Sequence, residues 1–170
     1  GDTQSLIDLT NAQISVQKTD GLFQFYVQAG QYATPSLGLP YQRATAASAA
    51  FGAISVAYAK IAPTDNFNIM AGKLPTLIGA EYTFSFQNIN IERGLLWNQE
   101  PAISRGVQAN YILGPLSFSL SLNDGAYTNK HNQLSGLIAY AVSATDTISA
   151  VGSGVLGTVS NPLAPVANQS

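Results

Sequence analysis

The clearest signal in the chain is a two-residue alternation of apolar and polar side chains. Leu116, Phe118, Leu120 and Leu122 share one parity, and Ser117, Ser119, Ser121 and Asn123 share the other. Side chains of a strand point to opposite faces in turn, so this stretch predicts a strand with one apolar and one uncharged polar face. The run before it behaves alike: Val107, Ala109, Tyr111 and Leu113 oppose Gly106, Gln108 and Asn110, with Ile112 as the exception. Between the two runs, Gly114-Pro115 predicts a tight hairpin turn.

The same reading yields three more hairpins. Ala12, Ile14 and Val16 alternate with Gln13, Ser15 and Gln17. Past Thr19-Asp20-Gly21, Phe23, Phe25, Val27 and Ala29 alternate with Gln24, Tyr26, Gln28 and Gly30. A third pair of strands is expected over 51–62 and 67–72, around Pro63-Thr64-Asp65-Asn66. A fourth is expected over 133–143 and 147–156, around Ala144-Thr145-Asp146. In 51–62 and 147–156 small residues occupy both parities, and the facing there stays open. The expected class is all-β, with about eight antiparallel strands in four hairpins.

Connections inside the hairpins are short, whereas those between hairpins, near 31–48, 74–103 and 124–132, are long. Transmembrane barrels have this asymmetry, with short periplasmic turns and long extracellular loops. A soluble β-sandwich alternates too, but it puts charges on its outer faces. Composition separates the two. Only 9% of the residues are charged, against roughly 25% in soluble domains, and the polar parity is Ser, Gln and Asn. No run reaches the roughly 20 apolar residues of a membrane-crossing helix. We therefore expect a single segment, 1–170, of an antiparallel transmembrane β-barrel in a bacterial outer membrane. Its first strand enters a short turn and its last leaves one, which puts both ends on the long-loop side. The expectation is four hairpins of a larger barrel, with a complete eight-stranded barrel as the alternative.

More specific motifs lie in the middle of the chain. Ala71-Gly72-Lys73-Leu74-Pro75-Thr76-Leu77-Ile78-Gly79-Ala80-Glu81 is followed by Asn88-Ile89-Asn90-Ile91-Glu92-Arg93-Gly94-Leu95-Leu96-Trp97. Then come Pro101, Arg105-Gly106-Val107, Tyr111 and Asn123-Asp124-Gly125. In this order the motifs resemble the β-barrel porin-2 family of Gram-negative outer-membrane proteins, over roughly 58–157 and less clearly before. In that family Gly-Lys/Arg leads to a Pro-Ile/Leu-Gly-x-Glu segment, an Asn-rich stretch with Arg and Leu-Leu-aromatic, a Gly-Val strand, and a strand ending in Asn-Gly. The chain departs from it at Leu74-Pro75, where an aspartate is common, at Ser104-Arg105, where a histidine is frequent, and in the interrupted Asn123-Asp124-Gly125. These departures bear on solute specificity rather than on fold. The resemblance implies a passive channel.

Charge is concentrated where such a channel would be narrowed. Lys73, Glu81, Glu92, Arg93, Glu100 and Arg105 lie in one loop and its flanks, out of only seven basic and nine acidic residues in the chain. Facing charges on an inward-folded loop set a transverse field that selects permeants. The other reading is that Glu–Arg pairs tie the loop to the wall, and both stay open here. Gln13, Gln17, Gln24, Gln28, Gln108, Asn110, Ser119 and Ser121 are expected to face the lumen. Tyr26 shares their parity. Tyr111 and Tyr140, on apolar parities, suit an interfacial aromatic girdle, and Trp97 suits either that or packing within the loop.

Other chemistry finds little footing. His131 stands alone in a polar loop, and no Ser–His–acid or zinc spacing is visible. Asp124, Asn123 and Asn129 lack the repeating ligand pattern of a calcium site. Gly152, Gly154 and Gly157 are followed by no phosphate-binding Lys-Ser/Thr. There are no cysteines, and a net charge of −2 offers no basic surface for nucleic acid. The expectation is a non-enzymatic, porin-like channel without cofactors, for diffusion of small hydrophilic solutes or ions. Its expected partners are outer-membrane lipids, the solutes themselves, and further copies or the remaining barrel strands. The rival is a barrel that sheathes a partner protein, as an electron-transfer conduit or surface-layer attachment.

Overall fold

The computed structural model describes residues 8–79, 81–88, 90, 92–94, 97, 102–125 and 129–157. Eight strands lie in one antiparallel sheet in sequence order: β1 Asn11–Lys18, β2 Phe23–Tyr32, β3 Ile54–Thr64, β4 Phe67–Pro75, β5 Ile103–Leu113, β6 Leu116–Asn123, β7 Gln133–Ala141 and β8 Thr147–Val155. Each strand pairs only with its sequence neighbours, so among the described residues β1 and β8 are open edges and the sheet is not closed. No helix is long and apolar enough to cross a membrane.

Register converts the alternation into two faces. Directly paired residues point the same way, and the pairings link Gln17, Tyr26, Tyr58, Gly72, Gly106, Asn123 and Gln133 in one row. A second row on the same face runs Gln24, Lys60, Met70, Gln108, Ser121, Ser135 and Ser153. This is the covered face: Gln28, Gln108, Ser121, Asn123, Gln133 and Ser135 are buried on it. The opposite face leaves Ile14, Val16, Phe23, Ile138 and Ile148 exposed. That inverts the arrangement of a water-soluble protein, in which large aliphatic residues go inside.

The stretch 44–51, expected to divide between a loop and the start of a strand, forms a helix instead: α1, Ala44–Phe51. Five of its eight residues are alanine, the best helix former. Small residues at every position before Phe51 erase both periodicities, which is why the helix does not show in the pattern. The Asp8 carboxylate accepts from the Ala44 N–H at 3.1 Å and from the Tyr41 hydroxyl at 2.9 Å. These two bonds, the backbone one first, hold its pKa below the usual carboxylate value, and a negative charge suits a helix N-terminus. At the other end Gly52, with φ 86°, donates to the Ser48 carbonyl. Strand β3 consequently begins at Ile54. Its partner register jumps from Gln28–Val56 to Ala29–Ile54, so Ser55 is the extra residue of a bulge. That bulge reverses the facing of Ile54 relative to Val56, adding to the ambiguity that small residues create in the segment.

The apolar core sits at the long-loop end. Tyr32, Ala47, Val56, Phe84 and Ile103 pack together, drawing on β2, α1, β3, the 76–102 connection and β5. Tyr32 meets Phe84 edge to face at 5.5 Å and donates its hydroxyl to the Gly52 carbonyl at 3.1 Å. Both α1 and the segment around Phe84 are thus held against the polar side of the sheet.

Candidate functional site

The inner face is wired by uncharged hydrogen bonds. On one side Gln28 Nε2 donates to Gln13 Oε1 at 2.7 Å, and Ser55 Oγ donates to the same oxygen at 2.8 Å. Gln13 Nε2 continues the chain to Asn11 at 2.8 Å. Tyr26 donates to Gln28 Oε1 and stacks on Tyr58 at 5.7 Å between centroids. Farther round the sheet, Asn110 gathers Gln108, Asn68 and Ser119, each bond 2.8 Å long. Asn123 bridges Ser121 at 3.1 Å and Ser135 at 3.4 Å. Side chains that satisfy one another in this way need no fixed partner from a ligand, yet they offer exchangeable donors and acceptors to water and polar solutes.

The connection between β4 and β5 folds over this wall. Pro75, Leu77, Ile78, Glu81, Tyr82, Thr83, Phe84 and Gln87 border one side of a cavity of about 620 Å3. Gln17, Tyr26, Gln28 and Tyr58 border it from the β1–β3 side, and Leu137, Ala139, Thr147 and Ser149 from the β7–β8 side. Residues from both ends of the strand order line one space, so the sheet is curled around the connection. The connection is itself braced. Asn88 Nδ2 donates to the carbonyls of Tyr82 at 2.7 Å and Phe84 at 3.1 Å, and Thr83 Oγ1 donates to the Ala102 carbonyl at 2.6 Å.

The six charged residues of the loop and its flanks occupy different places. Arg93 is fully buried. Its guanidinium donates to the carbonyls of Tyr82 at 3.2 Å, Pro35 at 3.3 Å and Thr83, and lies 5.0 Å over the Trp97 ring. Its backbone forms a parallel bridge with Ser36, so one residue clips the 33–43 connection to the 76–102 connection. Burial pushes its pKa down, against the opposing pull of the Glu81 carboxylate. Both Glu81 oxygens accept from the Gly94 N–H, at 2.9 and 3.0 Å, and Glu81 borders the inner cavity. Glu92 is exposed. Glu100 lies outside the described residues. Lys73 and Arg105 pair with one another on the parity of Ala71 and Val107, the outward one. Lys73 donates to the carbonyls of Phe51 and Ile54, at the junction of α1 and β3. Arg105 meets the buried Asp124 at 2.7 Å and Asn129 at 2.7 Å, fastening the 124–132 connection to the rim. The geometry thus places two of the six on the outer rim, one in a buried clip and one on the inner cavity.

The family model described as Putative beta-barrel porin-2, OmpL-like, matches the chain over residues 1–170. The chain belongs to this porin family. No curated protein and no solved structure matched it.

In the porin chain, the eight residues expected to face inward do share one face, by register: Gln13 with Gly30, Gln17 with Tyr26, Gln24 with Lys60, Gln28 with Val56, Gln108 with Ser121, and Asn110 with Ser119. Asn68 and Asn123, on the polar parity of their strands, join them, as do Lys60, Tyr58 and Ser135. Lys60 and Tyr58 lie in the strand whose facing small residues obscured, and the register shift between Ile61 and Thr64 defeats a count back from the turn. The inner face is not wholly polar. Ile112, Leu137 and Val151 share its parity. Trp97 is buried beneath Arg93. Tyr111 and Tyr140 are exposed on the outer face near the short turns. Phe67 and Phe118 share the row of Tyr111.

Proposed function

We propose that this porin-family chain forms part of the wall of a channel in a bacterial outer membrane, through which small hydrophilic solutes or ions pass by diffusion. The observation that carries the reading is the pairing of faces: an exposed apolar face behind, and in front a hydrogen-bonded lining of Gln, Asn, Ser and Tyr. Lipid tails accept the first because every strand but the edges has its backbone groups paired. Water accepts the second. The outward aromatics Phe67, Tyr111, Phe118 and Tyr140, at the short-turn end, suit the membrane interface. Around the chain the partners are outer-membrane lipids, and at the open edges of β1 and β8 either further strands of the same barrel or another copy. Solute passes beside the inward connection, with Glu81 its charged bordering group. No catalytic group or cofactor takes part.

The alternative, a sheath around a partner protein, needs the inner space free. Here the connection between β4 and β5 lies against the polar face and borders a cavity of about 620 Å3, which favours the channel. Planar bilayers loaded with the purified full-length protein are expected to carry steady, ohmic current. A folded, inserted protein that carries none would sink the channel reading and leave the sheath.

A further inference from the structure

Four strand positions carry a charge: Lys18, Lys60, Lys73 and Arg105. Register sorts them. Lys18 pairs with Phe25, Lys73 with Ala57, and Arg105 with Lys73, all on the outer face. Lys60 pairs with Gln24 on one side and Met70 on the other, in the inner row that continues to Gln108 and Ser121. Among the described residues it is therefore the one charged strand residue on the inner face, and no acidic residue shares that face within a strand.

Its surroundings leave it available. Lys60 makes no hydrogen bond or ion pair among the described residues, whereas Lys18 is engaged with Asp20 at 3.7 Å and Arg105 with Asp124. It borders a polar cavity of about 460 Å3 at the short-turn end, together with Gln24, Asn68, Asp20 and Asp65. The Asn68 Oδ1 accepts from Asn110 at 2.8 Å, and its Nδ2 finds no acceptor among the described residues. An ammonium and an amide donor therefore open on one space. The two carboxylates belong to the turns, beyond the strand ends. Lys60 stands four residues inside Thr64, about 13 Å along the strand at roughly 3.3 Å per residue.

We propose that Lys60, with Asn68 beside it, forms an anion-selecting site at the short-turn mouth of the pore, favouring small carboxylate- or phosphate-bearing solutes over cations. This rests on the channel reading above. As the one charge on the strand lining, it acts on every ion that passes, because low-dielectric walls focus its field; of the two carboxylates on the same cavity, Asp20 is paired with Lys18 at 3.7 Å and Asp65 lies in the turn beyond the strand. The glutamines and asparagines supply hydrogen bonds but no sign preference. Lys60 supplies the sign.

The test is the reversal potential of the full-length protein in planar bilayers under a potassium chloride gradient, with Lys60→Gln and Lys60→Glu as variants. Circular dichroism establishes that both keep their strand content. Lys60→Gln is expected to lower the chloride-to-potassium permeability ratio by about threefold, and Lys60→Glu to lower it further, as a single lumenal charge does. Added inorganic phosphate should reduce chloride current through the natural protein and have less effect on Lys60→Gln. Open channels whose permeability ratio is the same in all three proteins would overturn the assignment of Lys60 while leaving the channel standing. Absence of current from the natural protein would instead overturn the channel reading, and the site with it.

Discussion

Arg93→Ala is expected to release the β4–β5 connection from the wall and raise single-channel conductance, without moving the reversal potential. The buried guanidinium holds the Tyr82, Thr83 and Pro35 carbonyls. Its removal leaves three acceptors to find water inside a packed cluster. At roughly 1–3 kcal/mol for each orphaned buried group, and with rehydration offsetting part, the clip loses about 3–5 kcal/mol. The sheet ladder does not depend on it, so the strand signal persists while the loop becomes a protease target. Arg93→Lys separates clip from charge. It keeps the cation but loses the planar fork that reaches three carbonyls, so it should behave nearly like Arg93→Ala. A lysine variant with natural conductance and a resistant loop would show that charge, not bonding geometry, is what position 93 supplies.

Gly72→Ala is expected to damage the barrel wall itself. At Gly72 the backbone has φ 140°, a region that side chains disfavour. An added Cβ would overlap the Ala57 carbonyl oxygen and lie 2.9 Å from Tyr58 Cα. Gly106, its direct partner on β5, is equally crowded: a Cβ there would lie 2.7 Å from Asn123 Cα. The two glycines let two strand junctions, β3–β4 and β5–β6, approach closely, and the rigid backbone facing each cannot give way. A loss of about 3–4 kcal/mol follows, through backbone strain and overpacking. The measurement is the urea midpoint of the refolded protein in lipid. Gly136→Ala is the matched control. Its Cβ would meet nothing closer than 3.8 Å, and a change within about 0.5 kcal/mol is expected. Equal midpoints for Gly72→Ala and Gly136→Ala would mean that the β3–β4 register is wrong.

How far the fold was legible follows from these particulars. Alternation worked where polar and apolar residues are large and distinct, as in β1, β2, β5 and β6. It was silent over 44–51, because alanine and serine fit a helix, a strand or a loop alike, and it was blurred in β3 by the Ser55 bulge. The sharing of one face by the polar residues was readable because alternation is a strand property with period two. The roles of the charged loop residues were not, because they depend on contacts distant in sequence. Arg93 reaches back to Pro35, and Arg105 forward to Asp124 and Asn129. Lys73 and Arg105 could have been assigned outward by parity alone, since Lys73 follows Ala71 by two and Arg105 precedes Val107 by two.

The central claim is that this sheet separates lipid from water across its thickness. With no cysteine in the chain, spin labels on single cysteines introduced from position 117 to position 122 report on one strand without background. Collision with oxygen measures contact with lipid, and collision with a water-soluble nickel chelate measures contact with the aqueous lumen. In the membrane-inserted protein, labels at Phe118, Leu120 and Leu122 should respond to oxygen, and those at Ser117, Ser119 and Ser121 to the chelate, alternating residue by residue. Equal access of the chelate to all six positions would contradict the account.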